Sequence, residues 1–447
     1  MKTRKSILLA ALLALGLSSL SLANGLNLNG MGSRAVAMGG AFVALADDYS
    51  AVFWNPAGLS NFKTRVLGFY GVDLIPSSTY VMQVPQQTGL VTLVDAQTKT
   101  KHYLAGMLAF YQPINEQMVA GIAVYTPGGL GATWDGNDFI DLQDYQLGLA
   151  AGTHSSAYLW ESRVGKISIS PAVSYKVNDQ VAVGAALNID YGTFSLKRWA
   201  GAVPAGSPPV NLDLGQYEDS SNGWGIGATF GVLYKPSSMF SFGLSARTPS
   251  TITFKGTTII SNIDLLGLVT QSDTEKSLTW PWWIAGGVAF RPIWDLVFTA
   301  DLQWSEWSTV DEIATSYLDP AWSLFFTKAG ETVTPLKWKD RLQIRVGAEY
   351  MLYQNVAIRL GYYNDPAPAP DKTMNILIPS YTFNAITLGA GWDLDGLVID
   401  IGGEILLGTE RTVDFAKWLY EPDYASSMPG IYNMTIFVPH ISVSYKF

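Results

Sequence analysis

The chain repeats one pattern about fourteen times: roughly ten residues alternate between apolar and polar side chains, and a turn follows. In the last repeat, over residues 435–447, Ile441 and Val443 share one face, whereas Ser442 and Ser444 share the other. Alternation with a period of two indicates a β-strand whose two faces lie in different environments. An apolar face opposite small or charged residues is typical of a transmembrane β-barrel, with lipid outside and a polar lumen inside.

The connections between the repeats alternate between short and long. Short turns such as 178–180 and 395–396 alternate with long loops such as 127–162 and 308–336. Short periplasmic turns and long extracellular loops characterise outer-membrane barrels. We therefore predict an all-β fold: a 14-stranded antiparallel transmembrane β-barrel over residues 64–447, with an N-terminal hatch, or plug, inside its lumen.

Composition narrows the function classes. Of the 447 residues, 48% are hydrophobic and 15% are charged, against about 25% charged in average soluble domains. The formal net charge of −9 argues against a nucleic-acid partner. Cysteine is absent, and His102, His154 and His440 show neither metal-ligand nor catalytic spacing. We expect no enzyme activity, no bound metal and no cofactor.

The N-terminus has the features of a secretory signal peptide. Lys2, Arg4 and Lys5 precede an apolar stretch at 7–22, and small residues follow at a cleavage site. We predict that residues 1–23 are the signal peptide; an uncleaved helical anchor is the alternative. Secretion combined with barrel strands predicts the bacterial outer membrane.

Residues 24–63 precede the first clear strand. The segment is rich in Gly and Ala, too long for a simple tail and too apolar for a disordered one. One strand also turns a row of glycines inward, which leaves room inside the barrel. We predict that 24–63 forms a hatch within the lumen. The inward glycines are Gly223, Gly225, Gly227 and Gly231.

Three short motifs lie within this segment: GSRAVAMGGAF at 32–42, two aspartates at 47–48, and VFWNPAGL at 52–59. Together they resemble the N-terminal hatch of the FadL/TodX family of outer-membrane transporters for long-chain fatty acids and aromatic hydrocarbons. The architecture agrees over the whole chain, whereas motif matching covers about the first sixty residues.

The resemblance implies a route for a hydrophobic ligand. Extracellular loops capture it, a lumenal pocket near the mature N-terminus binds it, and a kink in the third strand releases it sideways into the membrane. Leu26 and Leu28 are the candidate pocket residues. Asn55, Pro56 and Ala57 match the hatch triplet that lies against the kink; alternatively, they form a tight turn without a gating role.

The third strand supports a kink independently. Residues 118–125 carry apolar side chains on both faces, and Pro127, Gly128 and Gly129 follow. Loss of the polar inner face next to Pro and Gly favours broken strand pairing. The alternative is that these residues only begin a loop.

Capture requires apolar groups in the loops. Leu265, Leu266 and Leu268 form such a patch within 256–275. Exposed apolar patches mark binding surfaces, so we predict ligand contact there. Packing of the loops on one another into a lid is the alternative, and the two are compatible.

A fatty-acid carboxylate would require a cation. Arg341 and Arg345 are the inward candidates, followed by Lys166 and Arg359, because Arg can bind a carboxylate through two parallel hydrogen bonds. The alternative is that these cations pair with acids of the wall, such as Glu349.

The expected partners are a hydrophobic small molecule and the lipid of the outer membrane. The terminal Phe447 resembles the assembly signal of outer-membrane proteins, which adds the barrel assembly machinery. We expect a monomer. A barrel that acts as a carrier or adaptor in protein secretion is the alternative function, although apolar loops favour a lipid or hydrocarbon. The sequence does not separate fatty acids from aromatic or alkane hydrocarbons.

Overall fold

The structure is a computed structural model that describes residues 25–86, 89–153, 156–205 and 210–447. The predicted signal peptide and His154 lie outside these residues. Antiparallel strands occupy most of the described chain. They are β1 (Val66–Gln86), β2 (Gly89–Gln97), β3 (Tyr103–Pro113), β4 (Met118–Trp134), β5 (Trp160–Lys176), β6 (Val181–Trp199), β7 (Ala202–Ala205), β8 (Val210–Asp213), β9 (Gln216–Tyr234), β10 (Phe240–Arg247), β11 (Ser250–Ile260), β12 (Gln271–Trp280), β13 (Trp283–Ile293), β14 (Leu296–Ser305), β15 (Glu312–Tyr317), β16 (Val333–Pro335), β17 (Arg341–Tyr353), β18 (Val356–Asp365), β19 (Phe383–Leu394), β20 (Leu397–Gly408), β21 (Arg411–Val413) and β22 (Gly430–Lys446).

These strands close into a barrel, because β22 pairs with β1 from Val66 opposite Lys446 to Val81 opposite Ile431. Three barrel strands are each interrupted once and consist of β2 with β3, β10 with β11, and β12 with β13. Strands β7, β8, β15, β16 and β21 belong to the loops. The described residues therefore form the predicted barrel of fourteen antiparallel strands.

The two faces of the wall follow the predicted alternation. On β17, Leu342, Ile344 and Val346 are 40–47% exposed on the outside, whereas Gln343 and Arg345 are buried inside. This outer surface suits hydrocarbon lipid, and the charges on the inner face avoid the cost of lipid contact. Among the described residues, no helix combines the length and apolar character required to cross a membrane.

The segment before β1 lies inside the barrel and is almost wholly buried. It contains α1 (Ser33–Ala37), α2 (Ala51–Trp54) and a 3-10 helix (Pro56–Asn61). The backbone of this hatch approaches wall glycines so closely that a side chain would collide. A methyl group on Gly347 would lie 2.2 Å from the Met38 carbonyl oxygen. The wall thus accommodates the hatch by omitting side chains.

The predicted glycine row on β9 has two different neighbours. Gly231 faces Asn55 of the hatch. Gly223 and Gly225 instead face the backbone of β11. The reason is that β9 pairs with β10 along its periplasmic part and with β11 along its extracellular part.

An ion-pair network joins the hatch to the wall at the periplasmic end. Arg34 donates to Asp47 at 2.5 Å and to Glu349 at 2.7 Å. Glu349 also accepts from Arg359, which donates to Asp400, both at 2.7 Å. Burial disfavours the charge of Arg34, but Asp47 and Glu349 outweigh it and hold its pKa above the ordinary value. Buried charges paired in this way fix the hatch in one position.

The long loops carry short helices that pack over the extracellular end. They are α3 (Ile140–Leu147), α4 (Pro320–Ala329), α5 (Phe415–Tyr420) and 3-10 turns at Gly136–Phe139, Ile263–Leu266, Trp307–Thr309, Asp371–Thr373 and Pro422–Tyr424. An apolar group that we call the loop cluster unites several of these loops. It contains Leu214, Tyr217, Ile260, Ile263, Tyr317, Trp322 and Phe326.

Candidate functional site

The barrel wall has a gap between β3 and β4. Met107 pairs with Tyr125 below the gap, and Thr98 bridges to Trp134 above it. Nine residues separate the two pairs on each strand, so one register continues across the gap. Within the described chain, residues 126–132 of β4 have no ladder partner on that neighbouring strand. We call this gap the window.

The window arises from a bulge in β4. Tyr125 pairs with Ser168 of β5, but the next pair joins Gly128 to Lys166, so β4 carries one extra residue between them. Pro127 lies in this stretch and has no N–H to donate to a ladder. The structure therefore places the irregularity at the residues that the sequence singled out, Pro127, Gly128 and Gly129.

The hatch takes the place of β3 as partner of the bulge. The Leu28 N–H donates to the Pro127 carbonyl, and the Gly129 N–H donates to the Leu26 carbonyl, both at 3.0 Å. A methyl group on Gly129 would lie 3.9 Å from Cδ2 of Leu28. Leu26 and Leu28, the predicted pocket residues, thus lie at the window and close it from the inside.

An apolar group fills the lumen beside the window, and we call it the lumenal cluster. Leu26 belongs to it and connects it with the bulge. Among the described residues, neither the Trp280 nor the Trp307 indole N–H has a hydrogen-bond partner. Two donors aimed into an apolar region can bind an oxygen of a ligand. The members are Leu26, Val164, Phe194, Ile252, Phe254, Leu278, Trp280, Trp307, Val310, Ile313, Leu336, Trp338, Ala369 and Ile378.

One buried cation lies between the lumenal cluster and the window. Lys166 is opposite Gly128 in the β4–β5 ladder, and its Nζ lies 4.8 Å from the centre of the Trp280 ring. The same Nζ donates to Asp190 at 3.4 Å, a long hydrogen bond that leaves two ammonium hydrogens for other acceptors. On sequence alone Lys166 ranks behind two arginines, but Lys166 is the cation that lies opposite Gly128 and beside Trp280.

Arg345 lies elsewhere and is occupied. Its Nη1 donates to the carbonyl oxygens of Asn29 and Gly39 at 3.0 Å, and its Nε and Nη2 donate to Gln343. The guanidinium also stacks on Tyr363, 4.4 Å from the ring centre. Arg345 therefore anchors the hatch, because four of its five N–H donors already have partners, and its binding of a ligand carboxylate stays a prediction.

Arg341 also departs from the expectation. It lies at the extracellular start of β17, where its Nε donates to the Ala367 carbonyl at 2.7 Å and its Nη1 to the Asp340 carbonyl at 3.1 Å. These contacts hold the loop backbone at the rim of the barrel.

The extracellular loops enclose an open groove of about 600 Å³. Ile378 lines it and also belongs to the lumenal cluster, so the groove borders that cluster. Leu265, Leu266 and Leu268 do not line it. Leu265 is 59% exposed, and the other two pack against the loop cluster. Apolar and aromatic lining residues include Leu142, Trp160, Trp199, Tyr217, Phe325, Phe326 and Leu377.

The hatch triplet ties the hatch to the wall. Asn55 is fully buried, and its side-chain amide donates to the carbonyl oxygens of Val43 and Val232 at 2.9 Å. Pro56 and Ala57 approach the backbone of β6 at Gly184. The triplet therefore lies against β6 and β9, and the 3-10 helix that begins at Pro56 also packs against β4 and β5. A gating role for the triplet at the kink stays a prediction.

Apart from Leu26, the residues of the lumenal cluster were not among those singled out from the sequence. On β11, Thr251 is exposed and Thr253 is half-buried, whereas Ile252 and Phe254 are buried inside. The polarity of the two faces is thus opposite to that of strands such as β17. The signal available in the sequence was this inverted alternation of apolar and polar residues next to a long loop.

Comparison with known proteins decides the family. Residues 14–419 match the family described as outer membrane protein transport protein (OMPP1/FadL/TodX). The chain belongs to this family. It is 24% identical over 402 residues to outer membrane protein P1 of Haemophilus influenzae, with 82% of each chain covered.

Solved structures of FadL and TodX proteins share the fold. A Pseudomonas aeruginosa FadL homologue aligns with a TM-score of 0.78 at 17% identity, covering 95% of this chain and 100% of that one. The P. putida toluene transporter TodX aligns with a TM-score of 0.68 at 16% identity, covering 94% and 99%. The Ralstonia pickettii toluene transporter TbuX gives 0.65 at 18%, covering 94% and 99%.

Membership of the OMPP1/FadL/TodX family fixes the coarse function. The protein lies in the outer membrane and belongs to a family of transport channels for hydrophobic substrates, not of enzymes.

His440, on the inner wall, accepts or donates one hydrogen bond with Ser33 of the hatch at 2.7 Å. Across the described ranges, no group of three potential ligands could hold a metal ion.

Proposed function

We propose that this protein takes up hydrophobic small molecules from outside the cell and releases them sideways into the outer membrane through the window. The observation that carries the proposal is the gap at residues 126–132 of β4, where one register continues on both sides. A ladder that keeps its register can lose pairing locally without a change in the rest of the barrel.

The route has three parts in contact with one another. The loop groove receives the molecule, and Ile378 connects the groove to the lumenal cluster. Leu26 connects the lumenal cluster to the window. Passage requires the segment at 26–28 to leave the bulge, which costs two backbone hydrogen bonds of roughly 0.5–1.5 kcal/mol each. Binding of an apolar molecule in the lumenal cluster can offset a cost of this size.

The substrate class that fits best is a long-chain acid. The lumenal cluster supplies apolar surface for the chain, while Lys166 and the Trp280 indole N–H supply donors for a carboxylate beside the window. A neutral hydrocarbon would use the same apolar surface without the donors. Family membership does not favour the secretion-carrier alternative.

The test blocks one exit at a time in a chain that has no native cysteine. Leu28→Cys carries a bulky, disulfide-linked thiol reagent at the window, and Asn61→Cys carries the same reagent at the periplasmic end of the hatch. Labelling at position 28 should stop uptake of a fluorescent fatty acid, and a reductant should restore it. Labelling at position 61 should leave uptake unchanged. The reverse result would show that the ligand leaves through the hatch into the periplasm.

A further inference from the structure

An aromatic ring crosses the window between β3 and β4. Tyr103 is the first residue of β3, and its backbone pairs with Leu74 of β1. A methyl group placed on Gly131 of β4 would lie 2.5 Å from Cε1 of Tyr103 and 3.0 Å from its hydroxyl oxygen. The ring therefore reaches from β3 to the β4 backbone, over the stretch where the ladder is absent.

The position of Gly131 shows which face of β4 the Tyr103 ring covers. Gly131 is opposite Arg163 in the β4–β5 ladder, and Arg163 is exposed on the outside. Residues opposite each other in an antiparallel ladder share a face, so Gly131 also faces outward. The Tyr103 hydroxyl lies beside Thr133, the next outward position on β4. Tyr103 itself lies on the inner face of β3 with Met107, because Leu104 is the outward residue beside it. Its ring therefore fills the space between the inner face of β3 and the outer face of β4, whereas Leu28 reaches the window from the hatch.

Glycine at position 131 is what allows this arrangement. The three atoms nearest to a methyl group there all belong to Tyr103, at 2.5, 2.9 and 3.0 Å. Contacts below 3.0 Å cannot persist, so any side chain at position 131 would displace the ring. The Tyr103 side chain on β3 and the glycine at position 131 on β4 are thus complementary in shape across the gap.

We propose that Tyr103 is the latch of the window. Its ring must swing away from Gly131 before a molecule passes into the bilayer, and its size sets the width of the molecules that leave. The inference rests on the proposed function, since it assigns the regulation of the same exit. Tyr103 acts by position, through contact with the passing molecule and with Gly131.

The test compares two fatty acids of different width. One is slender and carries its fluorescent group only at the tail, and the other carries a pyrene group. The protein is reconstituted in vesicles, and the rate of transfer into the bilayer is measured. Tyr103→Ala should raise the rate for the pyrene acid roughly three- to tenfold and leave the slender acid nearly unchanged. Tyr103→Phe keeps the ring and should retain the native preference.

Gly131→Ala provides an independent variant, because its methyl group displaces the ring without removing it. It should also favour the pyrene acid, and it should add nothing in a chain that already carries Tyr103→Ala. Tyr350→Ala is the control, since Tyr350 is a half-exposed tyrosine on the lipid face of β17. It should change neither rate.

Five outcomes would overturn the latch. Equal changes for the two acids, additive effects of the two substitutions, or a matching effect of Tyr350→Ala would each show a general loss of wall integrity. If the label at position 28 stops uptake but Tyr103→Ala alters neither acid, the window is the exit and Tyr103 is not its latch. If that label has no effect, the proposed function fails, and the latch fails with it.

Discussion

The Arg345 guanidinium holds the Asn29 carbonyl oxygen at 3.0 Å, one residue beyond the segment that closes the window. The same nitrogen binds Gly39 further along the hatch. A cation of the wall therefore fixes the backbone on which the closure of the window depends. This relationship explains why the buried Arg345 guanidinium is already occupied by the hatch backbone.

Replacing Arg345 with Met should loosen the hatch near the window. The loss of charge-assisted hydrogen bonds to two buried carbonyls should destabilise this part of the hatch by roughly 2–3 kcal/mol. Hydrogen exchange at 26–40 should become faster, and uptake should change equally for an acid and an alkane. Arg163→Met, on the outer face, is the control. A selective loss of acid binding would restore Arg345 as a ligand residue.

Replacing Lys166 with Met should separate acids from hydrocarbons. A charge-assisted hydrogen bond of about 1.5–3 kcal/mol corresponds to a loss of roughly 10- to 100-fold in affinity for a long-chain acid. Affinity for an alkane of equal length should stay the same, as calorimetric titration in detergent can show. The exposed Lys255→Met should alter neither affinity. Equal losses for both ligands would remove the carboxylate role.

Replacing Asn55 with Ala should weaken the hatch away from the window. The substitution leaves the buried carbonyls of Val43 and Val232 without their donor, at a cost of roughly 1–3 kcal/mol each. Hydrogen exchange at 43–57 should accelerate, while exchange at 26–28 stays slow. The opposite distribution would indicate that the triplet controls the bulge after all.

Stability of the hatch should depend on pH through Asp48. Burial raises the pKa of Asp48 from 3.8 to about 6, against the effects of Arg34 and of hydrogen bonds from Ser50. Between these values the folded state binds more protons than the unfolded state, so stability falls as the pH rises through this range. Asp48→Asn should therefore raise the thermal unfolding temperature above pH 6 and have little effect below pH 4. A decrease above pH 6 would mean that attraction to Arg34 outweighs burial.

The strands and the hatch could be predicted from the sequence because each depends on a local pattern. Alternation alone places Leu342 and Ile344 in lipid, since only one face of a strand can meet the bilayer. The bulge was also visible, because Pro127 cannot donate to a ladder and lies beside two glycines. The faces of the strands, the strand number and the irregular strand are therefore encoded in short stretches of chain.

The site itself depends on partners far apart in the chain. Arg345 and Lys166 are both inward cations on strands, and nothing local distinguishes them. Arg345 meets Asn29 across a separation of more than 300 residues, whereas Lys166 meets Trp280. Tyr103 likewise gains its position from Gly131 on another strand. Such pairings follow from the closed barrel and were not available before its geometry.

The most direct test of lateral release maps the route of a photoreactive fatty acid in outer-membrane vesicles. The acid is added outside, activated at successive times, and its attachment sites are identified by mass spectrometry. We expect early attachment at Leu26 and Trp280 and later attachment at Tyr103 and Gly131, with none at Asn61. Attachment at Asn61 that follows Leu26 and bypasses Tyr103 would contradict lateral release and assign the exit to the periplasmic side.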